Sequence, residues 1–166
     1  MRAATEYVID RGYRRLFFVC PPINGDKNGN LYVHKKRLEG FDQAVKRAGD
    51  TEVEYMLDWD YLDSVKSISI TRDTAFICTS DEIALEIMMC LKEKKLYPGK
   101  DYGLHGFDDI DTLKYISPRL SSVNNNVEMV ACEATKLLVS MIEDEAGISD
   151  DARVIVPFSL VKGQTV

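Results

Sequence analysis

The chain has 166 residues, 45% hydrophobic and 29% charged, the make-up of a globular domain long enough to bury a core. Its net charge of −6, with no basic run longer than Lys35-Lys36-Arg37, excludes a chain that grips DNA phosphates by itself, because such affinity rests on Lys and Arg displacing counterions. No apolar run approaches the roughly 20 residues of a membrane span, and none precedes Leu16, so neither a membrane partner nor an export leader is expected and the cytoplasm is the expected location.

Taken in order, residues 3–11 read as a helix stopped by Gly12, and Leu16-Phe-Phe-Val-Cys20 as a buried strand closed by Pro21-Pro22. Ile23 to Tyr32, rich in Gly and Asn, reads as loop. Arg37 is then expected to open a helix whose apolar face is Leu38, Phe41, Ala44, Val45 and Ala48, with Gly49 ending it. Val53–Leu57 is a short strand, Leu62, Val65 and Ile68 mark a brief helix, and Thr74–Thr79 is a second buried strand. Thr79-Ser-Asp-Glu82 has capping-box spacing, which predicts Thr79 as the cap of a helix carrying Ile83, Ala84, Ile87, Met88 and Leu91. Strands are expected at Tyr102–Phe107 and Leu120–Val123. Asn125 is expected to cap a long helix with Val127, Val130, Ala131, Ala134, Leu138 and Met141 on one face, and strands at Arg153–Pro157 and Leu160–Lys162 follow an acidic stretch. Strands that are apolar throughout and alternate with helices predict an α/β fold, a parallel sheet covered on both faces.

The four cysteines, Cys20, Cys78, Cys90 and Cys132, form no C-x-x-C pair and three lie in apolar runs, so free, buried thiols of a reducing compartment are expected. His34 and His105 complete no metal spacing, so no metal is expected. No G-x-S-x-G, P-loop or G-x-G-x-x-G is present, which argues against catalysis and against a cofactor. Asp108-Asp109-x-Asp111 suggests a metal or a phospho-acceptor, but a phospho-acceptor domain needs its acidic pair after the first strand, where this chain has Cys20-Pro-Pro.

In an open parallel sheet, ligands bind beyond the carboxyl ends of the strands. The residues there are Asp58-Trp59-Asp60, Ser80-Asp81 and Asp108-Asp109, with Arg37 at the same edge. Carboxylates accept from neighbouring hydroxyls, arginine donates in a fixed fork, and Trp59 offers a flat face to a sugar ring or a purine. On position alone Trp59 serves equally well as core or surface filler, and Ser80 or Asp81 as a helix cap.

Arg37-Leu-Glu-Gly-Phe41, Thr79-Ser-Asp-Glu-Ile-Ala84, Gly106-Phe-Asp-Asp109, Tyr115-Ile-Ser-Pro-Arg-Leu120 and Ser121-Ser-Val-Asn-Asn125 occur in one order and at characteristic spacings. The set resembles the signatures of the lactose-repressor (LacI/GalR) family of transcription regulators. Tyr13-Arg-Arg-Leu16 and Leu160-Val-Lys-Gly-Gln-Thr165 look like the family's entry and closing segments. The resemblance implies a periplasmic-binding-protein-like type I fold of two α/β lobes with a small-molecule effector, a sugar or related compound, in the cleft between them. It implies Arg37, Asp108, Ser80, Asn125 and, on a looser alignment, Trp59 as effector contacts. Ser80 stands where the family often has asparagine, Asn125 where it often has glutamine, and Glu86 where the residue is usually small. The first two departures leave the identity of the effector open.

The resemblance further implies that residues 1–123 form the C-terminal lobe, 124–152 cross into an N-terminal lobe not included here, and 153–166 finish the crossover. The chain then reads as the C-terminal part of a homodimeric regulator that meets operator DNA only through a helix-turn-helix outside this sequence. The helix over 127–141 would lose its usual cover, and it is expected to pack against a second copy or to shift. A periplasmic-type sugar receptor of a transport system is the alternative, since the fold alone does not decide between them.

Overall fold

In the computed structural model, residues 1–23, 31–143 and 153–166 are described. The elements are α1 (Arg2–Asp10), β1 (Arg15–Val19), α2 (Leu31–Ala48), β2 (Glu52–Met56), α3 (Tyr61–Ser67), β3 (Thr74–Cys78), α4 (Asp81–Glu93) and β4 (Gly103–His105). A 3-10 turn at Asp111–Tyr115, β5 (Ser122–Asn124), α5 (Val127–Glu143) and β6 (Ser159–Val161) follow. The four-stranded sheet has the order β2-β1-β3-β4 and every pair in it is parallel.

The unbroken apolar runs of β1 and β3 exist because both faces of the sheet are covered. Leu16, Phe18, Cys20, Ala75 and Ile77 face one way, onto Val8 and Ile9 of α1 and Phe41 of α2. Phe17, Val19, Phe76, Cys78 and Leu104 face the other, onto Tyr61 and Val65 of α3 and Ile83, Ala84, Ile87 and Leu91 of α4. Side chains alternate across a strand, so one apolar run feeds two cores. β2, at the sheet edge, is mixed in burial, as an edge strand should be.

Residues 120–124 run parallel beside β4: the amides of Gly106 and Asp108 donate to the carbonyls of Ser121 and Val123 at 2.8 and 2.9 Å. β6 pairs antiparallel with β5. The following segment is locked in by Thr165, whose buried hydroxyl accepts from the Ser121 amide (2.8 Å) and donates to the Leu104 carbonyl (2.7 Å).

Several local expectations are corrected. Ser80, not Thr79, caps α4, accepting from the Ile83 amide at 3.3 Å, while Thr79 is buried. α2 opens at Leu31 rather than at Arg37, because residues 31–39 contain no Gly or Pro to prevent helix, although exposed Tyr32 and Val33 hide the start from an apolar pattern. Asn125 does not cap α5; the helix begins at Val127, and the Asn126 carbonyl accepts from the Val130 amide at 3.0 Å. Residues 153–157 are not a strand: they pair with nothing in the sheet, and Pro157 has no amide to give. Cys20 and Cys78 are buried, but Cys90 is half-buried and Cys132 exposed on α5. Residues 24–30 of the expected loop and the acidic stretch at 144–152 lie outside the described residues. No described helix is long and apolar enough to cross a membrane.

His105 on β4 is fully buried, with Nδ1 beside the Gly106 carbonyl at 2.8 Å and Nε2 without a partner among the described residues. Burial pushes its pKa down to about 4. A histidine held neutral in the fold but free to take a proton when unfolded costs stability as the pH falls from its unfolded to its folded value. Between about pH 7 and pH 4.5 this amounts to roughly 2 kcal/mol. Denaturant midpoints at both pH values should therefore show His105→Gln losing less on acidification than the parent, by about that amount. Asp81, whose pKa is raised, contributes with the opposite sign, and the comparison cancels it. Equal losses in both proteins would contradict the assignment.

Candidate functional site

The carboxyl edge of the sheet gathers three of the five residues singled out in the sequence. Arg37, well into α2, reaches over the end of β3: Nη1 donates to the Thr79 carbonyl and Nη2 lies 3.0 Å from Asp108 Oδ1. Its guanidinium carbon stands 3.9 Å from the centroid of the Phe107 ring, a stacking that holds the fork flat. Asn125 Nδ2 donates to the same Asp108 oxygen at 2.7 Å. One carboxylate oxygen thus joins α2 to the segment that follows β5.

Ser80 adjoins this cluster, next to the carbonyl that Arg37 holds, but its hydroxyl is occupied by the α4 cap. Trp59 follows β2 at the sheet margin with its side chain 67% exposed. Among the described residues no hydrogen bond or ring contact joins it to the other four.

The loop that carries Asp108 is unusual. Asp108 and Asp109 both have positive φ, 108° and 52°, a region that non-glycine residues seldom enter. The conformation is held from below by Asp81, the first residue of α4, which is completely buried. Its Oδ2 accepts from the Ile110 amide (2.9 Å) and its Oδ1 from the Ser122 hydroxyl (2.6 Å). The Ser122 oxygen in turn accepts from the Asp109 amide at 3.1 Å. Gly106 is required for this approach, because a Cβ there would fall 2.2 Å from Asp81 Oδ1. Asn124 Nδ2 adds a bond to Asp109 Oδ2 at 2.8 Å. Beside the loop a cleft of about 500 Å³ is lined by Asp108, Asp109, Asp111, Asn124, Asn126 and Glu128 among others. Among the described residues its lining contains carboxylates and amides but no cation.

The sequence places Asp81 on the rim, as a ligand-facing carboxylate or a helix cap, but not as a support beneath the loop, and it offers His34 only as a metal ligand. His34 lies three residues before Arg37 on the same helix, buried, with Nδ1 unpartnered among the described residues, and burial and then the Arg37 charge lower its pKa. Among the described residues no His, Cys, Asp and Glu set could hold a metal ion.

Comparison with known proteins bears on the family and the fold. The family described as "Periplasmic binding protein-like domain" matches residues 5–166. The HTH-type transcriptional repressor PurR of Vibrio atlanticus is 29% identical over 150 residues, covering 86% of this chain and 43% of the repressor. A LacI family transcriptional regulator from Enterococcus faecium, solved with bound ribose, superposes with a TM-score of 0.82 at 20% identity, covering 99% of this chain and 60% of that one. The dimeric Lac repressor with an 11-residue C-terminal deletion does so at 0.81 and 19%, covering 99% and 59%. The chain spans less than half the length of the PurR repressors it matches. This chain belongs to the periplasmic binding protein-like domain family, in the form carried by LacI/GalR transcription regulators.

Proposed function

We propose that this chain is the effector-sensing part of a cytoplasmic, homodimeric transcription regulator, and that its effector lies against Arg37, Asp108 and Asn125, flanked by Ser80 and Trp59. The observation that carries this reading is the convergence of Arg37 and Asn125 on one Asp108 oxygen at the edge where an open parallel sheet binds ligands. Such a cluster needs no bond making. It binds a polyhydroxylated small molecule, and binding biases a two-state equilibrium that operator-reading heads outside this chain also feel. The kinship with HTH-type repressors supports regulation over the transport-receptor alternative.

The lobe assignment belongs to the same proposal: residues 1–123 are the C-terminal lobe, 124–152 enter a second lobe, and 153–166 return. The exposed apolar residues of α5 support it. Val127, Val130, Leu138, Met141 and Ile142 are all exposed, an apolar surface that a solitary domain seldom leaves in water. In the full regulator the second lobe covers them; in this chain alone a second copy does. Light scattering is expected to show concentration-dependent self-association, which Leu138→Lys with Met141→Lys weakens. A monomer at all concentrations would end the second-copy part of this proposal.

The test of function is a thermal-shift screen of sugars and purines on the two-lobed protein. At least one class should raise the melting temperature by several degrees, as a ligand at ~100 times its Kd contributes about 2.7 kcal/mol. If no sugar or purine does so, the reading fails. Trp59 is the chain's single tryptophan. A ligand that stacks on it should blue-shift its emission, whereas unchanged emission on binding would remove Trp59 from the site.

A further inference from the structure

We infer that Asp81 is a proton-sensitive latch beneath the effector site, a positioning residue whose ionised carboxylate holds the Asp108–Ile110 loop in the shape that presents Asp108 to Arg37. The inference rests on the reading of the Arg37–Asp108 cluster as the effector site, and it concerns what keeps that cluster assembled.

The geometry carries it. Asp81 is fully buried and, among the described residues, no cation reaches its carboxylate. Both of its oxygens are spent on the loop: one directly, through the Ile110 amide, and one through Ser122, which relays to the Asp109 amide. These two anchors hold the amides of Asp109 and Ile110, within and directly after the consecutive positive-φ residues Asp108 and Asp109, a backbone arrangement that persists only where its surroundings hold it. The charged or titratable neighbours are Asp108 and Asp109 from the loop and the Cys78 thiol from β3. The two carboxylates oppose a negative charge on Asp81, and the thiol, itself pushed up by burial, stays neutral.

Ionised, Asp81 accepts two hydrogen bonds strengthened by its charge. A proton on Oδ1 turns that oxygen into a donor, so the bond with Ser122 must reverse while Ser122 goes on accepting from Asp109. The bond from Ile110 becomes an ordinary neutral one. Burial first, and then the charges of Asp108 and Asp109, raise the carboxyl to about 6 against the lowering effect of its two hydrogen bonds. The latch therefore changes state within a physiological range, and its hold weakens as the pH falls. Effector affinity should weaken in the same direction.

The test follows the backbone amides of Asp109 and Ile110 and the Arg37 Nε–H group by nitrogen-edited NMR of the ligand-free protein between about pH 7.5 and pH 5, a window centred on the usual range for such shifted carboxyls. All three should shift together with one midpoint near 6. Asp81→Asn, which keeps the shape but does not titrate, should abolish that common transition. Ser122→Ala, which removes one stabilising bond and leaves the carboxylate, should move the midpoint upward. His34 titrates nearby and is held apart by His34→Gln, which should leave the transition in place. The inference is overturned if the transition survives Asp81→Asn, or if Arg37 stays silent while the two amides move. Since no ligand is present, either result judges the latch alone; the ligand screen judges the effector site.

Discussion

Arg37→Ala is expected to abolish effector binding while leaving the domain folded. The side chain makes three contacts: the Thr79 carbonyl, the Phe107 ring and Asp108 Oδ1, the last shared with Asn125. Its removal leaves Asp108 with only the neutral Asn125 amide as a side-chain partner and strips the site of its fork donor. Truncating one member of a hydrogen-bonded charge pair at a binding site costs about 2–5 kcal/mol, which is roughly a 30- to 5,000-fold loss of affinity. The cores lie elsewhere, with Phe41 and Ala44 of α2 still buried, so unfolding should remain cooperative. Arg37→Lys keeps the charge but not the planar fork, and should fall between the two. Calorimetric titration of the ligand found by screening measures all three. An unaltered affinity in Arg37→Ala would move the pocket away from this edge.

The largest effect on stability is expected at Phe76. It sits on β3, inside the sheet, completely buried, stacked on Phe17 at 5.2 Å between centroids and set edge-on to Tyr102 at 5.9 Å. Strands flank β3 on both sides and α4 covers this face, so the gap left by alanine cannot easily close. Phenylalanine-to-alanine changes in such places cost about 3–5 kcal/mol, or about 6–20 °C in Tm for a chain of this size. Against a typical total of ~5–15 kcal/mol, that is a large share of the stability. Phe76→Leu should cost less than about 2 kcal/mol, since most of the volume remains. Melting followed by circular dichroism decides it. A loss under about 1 kcal/mol for Phe76→Ala would mean that the sheet face is more plastic than its packing implies.

Where several residues report the same thing, the sequence was readable. The runs around Phe17 and Phe76 declared buried parallel strands, and Gly12 and Gly49, both with positive φ, mark helix ends as read. Single-residue choices were less so. Thr79 and Ser80 are equally good caps by type, and the outcome was decided by β3 ending at Cys78, which leaves Thr79 inside the fold. Asn125 looked like a cap because it precedes an apolar period, but its amide is drawn to Asp108, 17 residues back in sequence. The role of Asp81 could not be read at all from local pattern. It depends on Ser122, Ile110 and the missing Cβ of Gly106 meeting in space, and sequence spacing carries no record of that meeting.

The most direct measurement is a crystal structure of the two-lobed regulator with its effector bound. The account predicts the ligand seated at the carboxyl edge of the parallel sheet, with polar atoms within hydrogen-bond reach of both the Arg37 guanidinium and the Asp108 carboxylate. A ligand found against other elements, with the Arg37–Asp108 pair facing only protein, would contradict it.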